Sequence, residues 1–308
     1  KAIFISAYDT APLAPNYEYI LSGQGDDFQT GIDVLSHLTS GKVYVGVKAN
    51  SISKELSVLK NAEIIYLEGP HPIGNVGVQI HHILPINKGE TVWTVNAQDV
   101  LYFGRLFNTG SLDFNKIIAL TGPEVLTPQY YKTILGSQVT PFIKENVTKE
   151  HHLRYISGNV LTGTKIEADG YIGAYDSQIT VIEEGDERHD LAGWAMPRLN
   201  KFSMSRTYFS WLTKCLFPKK SYQFDARILG GERAFIMSGE YDKVLPMDIL
   251  PEFLVKAMIT ENIEKMEQLG IYEVAPEDLA LCEFVCTSKI EVQKITRQAL
   301  DMLKKELG

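Results

Sequence analysis

The sequence has 308 residues, 22% of them charged, with a formal net charge of −8 and an isoelectric point near 5.5, a length that allows two or three domains with full cores. The acidic balance, with no basic run beyond Lys219-Lys220 or Lys304-Lys305, speaks against a nucleic-acid surface. No apolar run approaches the roughly 20 residues that span a bilayer, no signal-peptide pattern is present, and three cysteines are too few for a disulfide framework, which points to a reducing compartment.

The chain opens at Lys1 and enters a predicted strand, Ala2–Ser6, at once, the start expected of a trimmed fragment without its N-terminal domain. Further strands are predicted at Lys42–Val47, Ile64–Leu67, Thr91–Val95 and Lys116–Leu120, each a short apolar run rich in Val, Ile and Tyr. Between them lie helical patterns at Asp26–Leu38, Ser53–Lys60, Val76–Leu84 and Asn96–Asn108. In the first of these, Phe28, Ile32, Leu35 and Leu38 share one face, and Asp26 and Asp27 favour an acid-capped N-terminus. Apolar strands alternating with amphipathic helices imply a parallel sheet covered on both faces, a Rossmann-like αβα domain over residues 1–120.

Within that domain, Glu68–His82 follows the predicted strand Ile64–Leu67 and runs into a predicted helix, the place where a nucleotide-binding domain carries its phosphate loop. Pro70 and Pro72 stand where backbone N–H groups would face phosphate, and proline has none. Gly69, Gly74 and Gly77 do not follow the G-x-G-x-x-G order and no lysine follows them, so the segment reads either as a loop that has lost its nucleotide or as a plain strand-to-helix turn.

Residues 121–190 read as a compact α+β module, a β-grasp by first choice, with strands at Ile134–Val139, Leu153–Ser157, Gly170–Tyr175 and Gln178–Glu183 around one helix, Pro128–Leu135. Residues 191–246 form a connector with a predicted hairpin about Gly230-Gly231, its arms Ala226–Leu229 and Arg233–Met237. A helical domain is expected over 247–308, with helices at Ile249–Thr260, Ile263–Leu269, Pro276–Val285 and Ile290–Leu307.

Few residues suggest chemistry on their own. Cys282 and Cys286 fall on one helix face, but a tetrahedral zinc or an iron–sulfur cluster needs about four ligands; Cys215 is isolated and the nearest histidine is His189. His81 and His82 point to different helix faces and do not chelate together, whereas His71 or His81 lining a pocket can donate to a quinone carbonyl, with Ile73 and Ile80 as wall; plain packing is the competing reading. Glu183–Arg188 reads as a solvated turn, and Trp194, Phe202, Tyr208, Phe209 and Trp211 read as core or as a partner surface. No G-x-S-x-G nucleophile elbow is present.

Longer strings carry a resemblance across essentially the whole chain. They are Ala2–Ala14, Gly41–Val45, Gly69-Pro-His-Pro-Ile-Gly74, Ile156–Thr164, Gly193-Trp-Ala-Met-Pro197 with Lys201-Phe-Ser203, Pro246–Pro251 and Glu277–Cys286. Together they resemble the NqrA family, the first of the subunits of the sodium-translocating NADH:quinone reductase, whose chain begins with a further barrel-sandwich domain. The family is similar to the flavin-bearing subunit of respiratory complex I and to the C subunit of the Rnf-type complex. The fold this implies is α/β: a Rossmann-like parallel-sheet domain, a β-grasp (SLBB-like) module and a C-terminal helical domain.

The resemblance implies a peripheral subunit with no tightly bound cofactor and no catalysis alone, on the cytoplasmic face of the bacterial inner membrane. The complex has six different subunits, A to F, with the membrane-embedded NqrB the expected neighbour, and it couples electron transfer from NADH to ubiquinone or another quinone to Na+ export. Flavins and the Fe–S cluster are expected on other subunits. Gly69, His71, Pro72, Gly74, Gly77 and His81 become a vestigial flavin loop or quinone site, and Cys282 and Cys286 the vestige of a C-x3-C-P cluster end, with Thr287 replacing the proline. Gln79 stands where the family pattern leads one to expect histidine. A free-standing flavin- or nucleotide-binding oxidoreductase is the alternative of a different class.

Overall fold

Four short strands make the first sheet: β1 (Ala2–Ser6), β2 (Val43–Lys48), β3 (Glu63–Leu67) and β4 (Val92–Asn96), all parallel, in the order β3-β2-β1-β4. The computed structural model describes residues 1–50, 54–150, 152–186, 208–210, 216 and 222–307. Helices α1 (Tyr17–Leu21), α2 (Gly25–His37) and α3 (Lys54–Ser57) precede α4 (Val76–Ile83) and α5 (Ala97–Thr109) along the chain. One face of the sheet sends Ile3, Ile5, Val43 and Val45 into a core with Phe28 and Ile32 of α2 and Val100 of α5; the other packs Ala2, Phe4 and Tyr44 against Ile80 of α4. In β1 and β2, side chains buried on both faces explain why the strands read as continuous apolar runs. Helix α2 begins at Gly25 with Gln24 as its N-cap, so the expected acid cap is absent and Asp26 and Asp27 lie in the first turn.

The strand expected to extend this sheet, Lys116–Leu120, belongs to another one. β5 (Asn115–Thr121) joins β6 (Gln129–Ile134), β7 (Leu153–Ser157), β8 (Thr164–Ile166) and β9 (Gln178–Glu183) in the order β6-β5-β9-β7-β8. β5 and β9 are parallel at its centre and the remaining pairings are antiparallel, a mixed sheet of β-grasp character. Helix α6 (Thr140–Ile143) supplies Ile143 to its core of Ile118, Leu120, Val139, Ile172, Ile179 and Val181.

Four assignments in this module are corrected. Pro128–Leu135 is not a helix: its Tyr130, Tyr131 and Thr133 suit a pleated surface, and they pair as β6 against β5. The expected strand Ile134–Val139 is instead a turn, with Gly136 at φ +71, leading into α6. Gly170–Tyr175 forms only an isolated bridge, Gln138 to Tyr171. Glu183-Glu184 is no solvated turn either, because Glu183 ends β9 and is buried, while Glu184 is forked by Arg154.

The predicted hairpin does not form among the described residues: Ala226 bonds to Glu183 and Arg233 to Ser288, not to each other's strand. The C-terminal unit holds α7 (Pro251–Ile259), α8 (Ile263–Gln268), α9 (Ala280–Val285) and α10 (Val292–Leu307), joined by short 3-10 turns at Ile271–Glu273 and Pro276–Leu279. Pro251 opens α7, where its missing N–H costs nothing. This core takes in Val78 from α4, so one helix of the first domain is covered by the last. Among the described residues no helix is long and apolar enough to cross a membrane. Trp194, Phe202, Trp211, His189 and Cys215 lie outside the described residues.

Candidate functional site

The proline loop follows β3, the edge strand of the sheet, two strands from the β1/β4 switch point where open α/β sheets bind their ligands. It bends back to reach that end of the sheet. The Gly74 N–H donates to Thr10 Oγ1 at 2.9 Å, and Ser6 Oγ donates to the Gly74 carbonyl at 3.4 Å. A side chain at position 74 would run into the Thr10 backbone at 2.7 Å, so the glycine is dictated by packing on the β1 loop. Gly69 takes φ +150, a turn that side chains disfavour, and Pro72 is buried.

The three histidines have separate surroundings. Thr10 Oγ1 accepts the Gly74 N–H and lies 3.1 Å from His71 Nδ1, a bond whose donor is set by the imidazole tautomer. His71 Nε2 is buried without a partner among the described residues, and burial pushes the imidazole pKa down, favouring the neutral ring. His81 Nε2 accepts the Asp248 N–H at 2.9 Å, which places its proton on Nδ1, 2.7 Å from Glu273 Oε2. Both nitrogens of His81 are therefore engaged by the C-terminal unit. His82 donates Nε2–H to the Pro246 carbonyl at 2.7 Å.

Nor do the two wall residues meet. Ile73 packs on the C-terminal core, whereas Ile80 faces the first sheet. His71 and His81, with Ile73 and Ile80, thus belong to different contacts.

What would be the anion-binding end of α4 is filled by the chain itself. Gly77 sits in its first turn, and a Cβ there would overlap Asp278 Oδ2. Asn75, the N-cap, makes no capping bond to its own helix and donates instead to the Glu277 carbonyl at 3.0 Å. Asp278 is 1% exposed; its Oδ2 accepts the Ala275 N–H at 3.0 Å and its Oδ1 has no partner among the described residues. Burial pushes this carboxyl up to about 7. Gln79 lies across Gly46 of β2 and donates to the Gly74 carbonyl at 3.1 Å, a packing role that a shorter ring-bearing histidine would not copy.

The switch point is occupied too. Tyr17, buried between β1 and β4, donates to Asn96 Oδ1 at 2.9 Å, and burial holds its phenol at about 12. Gln98 bonds both backbone groups of Ile117 and reaches Ser177 Oγ, and Gln178 donates to the Pro12 carbonyl, so the second module closes the crevice. Sequence reasoning missed Thr10, Tyr17, Asn96 and Asp278. Only Asp278 carried a local signal, an acid two residues after Pro276 at a helix start.

Cys282 and Cys286 are both buried in the C-terminal core. Helix α9 ends at Val285 and Cys286 leaves it with ψ 116, so the pair does not share a continuous helix face. Burial pushes the Cys282 thiol up to about 12, which disfavours the thiolate that a metal requires. Among the described residues no group of three or more His, Cys, Asp or Glu side chains converges.

Comparison with known proteins bears on the whole chain. Residues 1–112 match a family model described as the NqrA second alpha/beta domain, and residues 117–168 match one described as the NQRA C-terminal domain. The chain is 40% identical over 306 residues to the NqrA protein of the Na(+)-translocating NADH-quinone reductase of Pasteurella multocida, covering 99% of this chain and 67% of that protein. The corresponding proteins of Vibrio anguillarum and Neisseria meningitidis are 38% and 39% identical, each with 99% and 67% of the two chains covered. Among solved structures, an NAD+-reducing [NiFe]-hydrogenase in the H2-reduced state aligns with a TM-score of 0.46 at 10% identity, covering 99% of this chain and 55% of that one.

Proposed function

Because the chain belongs to the NqrA family of the Na(+)-translocating NADH-quinone reductase, we propose that it serves as a peripheral subunit of a sodium-pumping NADH:quinone oxidoreductase, carrying no flavin or nucleotide of its own. The complex would move electrons from NADH to a quinone and export Na+, with flavin and Fe–S chemistry on the other subunits. The observation that supports the cofactor-free reading is the filling of both ligand positions of the nucleotide fold. Asp278 sits against the first turn of α4, and Tyr17 and Ser177 close the switch point. A phosphate brought to α4 would meet a carboxyl group instead of free N–H donors.

Docking on the membrane subunits, NqrB foremost, at the cytoplasmic face of the bacterial inner membrane, completes this reading. Its contribution to quinone binding rests on the proline loop, Gly69 to Gly77. A quinone head needs apolar wall and one or two donors. His81 has no proton free to give, so the histidine the loop offers is His71: in the tautomer protonated at Nε2, that buried nitrogen would donate to a quinone carbonyl. The test is the apparent quinone Michaelis constant of the assembled complex with His71→Ala and with His81→Ala. A rise with His71→Ala alone supports the loop as a quinone contact. An unchanged constant in both variants, with normal assembly, points to quinone binding elsewhere in the complex.

A further inference from the structure

The contact between α4 and the C-terminal unit contains a buried acid with no basic partner among the described residues. Asp278 presses its carboxyl group onto Gly77, and one of its oxygens takes the Ala275 N–H while the other has no partner among the described residues. The titratable and charged groups around it are few. Glu277 shares its turn; from α4 the facing side chains are Asn75 and, one turn on, His81 held by Glu273; and Glu283 of α9 is engaged by the Gln293 N–H. No lysine or arginine pairs with it among the described residues. A buried carboxylate with a bare oxygen costs more than the neutral acid, even though the acid's own O–H then lacks an acceptor among the described residues.

We propose that Asp278 and Gly77 form a proton-operated joint between the first domain and the C-terminal helices, seated when the carboxyl group is neutral and loosened when it ionises. The other bonds across this contact, Asn75 to the Glu277 carbonyl, the Asp248 N–H to His81, His81 to the Glu273 carboxylate and His82 to the Pro246 carbonyl, do not involve the Asp278 side chain. Loosening is therefore confined to the N-terminal turn of α4. Gly74 and His71 continue directly from that turn, so the joint bears on the same loop that the quinone reading invokes, though it does not depend on that reading.

The direction with pH follows from proton counting. The folded carboxyl holds its proton up to about pH 7, while the unfolded chain releases it near 3.8. Between those values the folded state binds more protons, so the seat weakens as pH rises through that range and levels off above it. Hydrogen exchange of the intact chain, corrected for intrinsic rates, reads this in peptides covering 74–82 and 275–281. The expected result is a loss of protection of at least about tenfold between about pH 5.5 and 8. That loss is expected to vanish in Asp278→Asn and to persist in His81→Gln. An equal loss in Asp278→Asn, a loss abolished by His81→Gln, or none in the natural chain overturns the proposal. Should Asp278→Asn not fold, the Asp278 carboxyl carbon of the natural chain is titrated by NMR: a midpoint near 7 supports the joint and one near 3.8 overturns it.

Discussion

Gly77 is where one atom decides most. A methyl group there would overlap the Asp278 carboxyl oxygen, and both partners are held by backbone geometry, α4 on one side and a 3-10 turn on the other. Gly77→Ala is expected to destabilise the chain by about 2 kcal/mol, in the range of overpacking, despite the better helix propensity of alanine. A denaturant midpoint unchanged or raised would show that the contact yields easily. The cysteines give the opposite expectation. Both sit in an apolar core with no ligand set among the described residues, so Cys282→Ala and Cys286→Ala should leave complex assembly and quinone reduction intact, at a packing cost of about 1 kcal/mol each. Stoichiometric iron or zinc in the isolated chain would contradict that.

At the scale of elements, the same rules that made the first sheet legible failed in the second. β1 and β2 are buried on both faces, so burial itself wrote the apolar runs Ala2–Ser6 and Val43–Val47 into the sequence. β6 is an edge strand, exposed or half-buried throughout, and its Gln129, Lys132 and Pro128 neighbour look like the start of a polar helix. The strand Lys116–Leu120 is visible as a strand but reads as a member of the first sheet instead of the second, since partnership is a long-range property that no window holds. Arg154 and Glu184 tie the end of β7 to the end of β9, and that fork holds the Glu184 carboxyl down to about 2. A depressed carboxylate contributes stability above its ordinary value of 4.5 and loses it as pH falls toward 2. Arg154→Met should therefore flatten the acid limb of the unfolding curve in that window. An acid limb identical to that of the natural chain would show the fork contributes nothing.

For the whole molecule, the sequence carried the family resemblance and the absence of backbone N–H donors at Pro70 and Pro72. What it could not carry was the contact at the first turn of α4, because Gly77 and Asp278 are remote in the chain and meet only when the C-terminal helices dock on α4. His81 shows the same limit. As a residue it suited a quinone donor, and only its place between Asp248 and Glu273 removes the proton it would give. The central claim, a nucleotide fold whose ligand positions are filled by its own side chains, is tested most directly by calorimetric titration of FMN and of NADH into the purified chain. The account predicts no measurable heat of binding for either. A micromolar dissociation constant, about −8 kcal/mol, would contradict it.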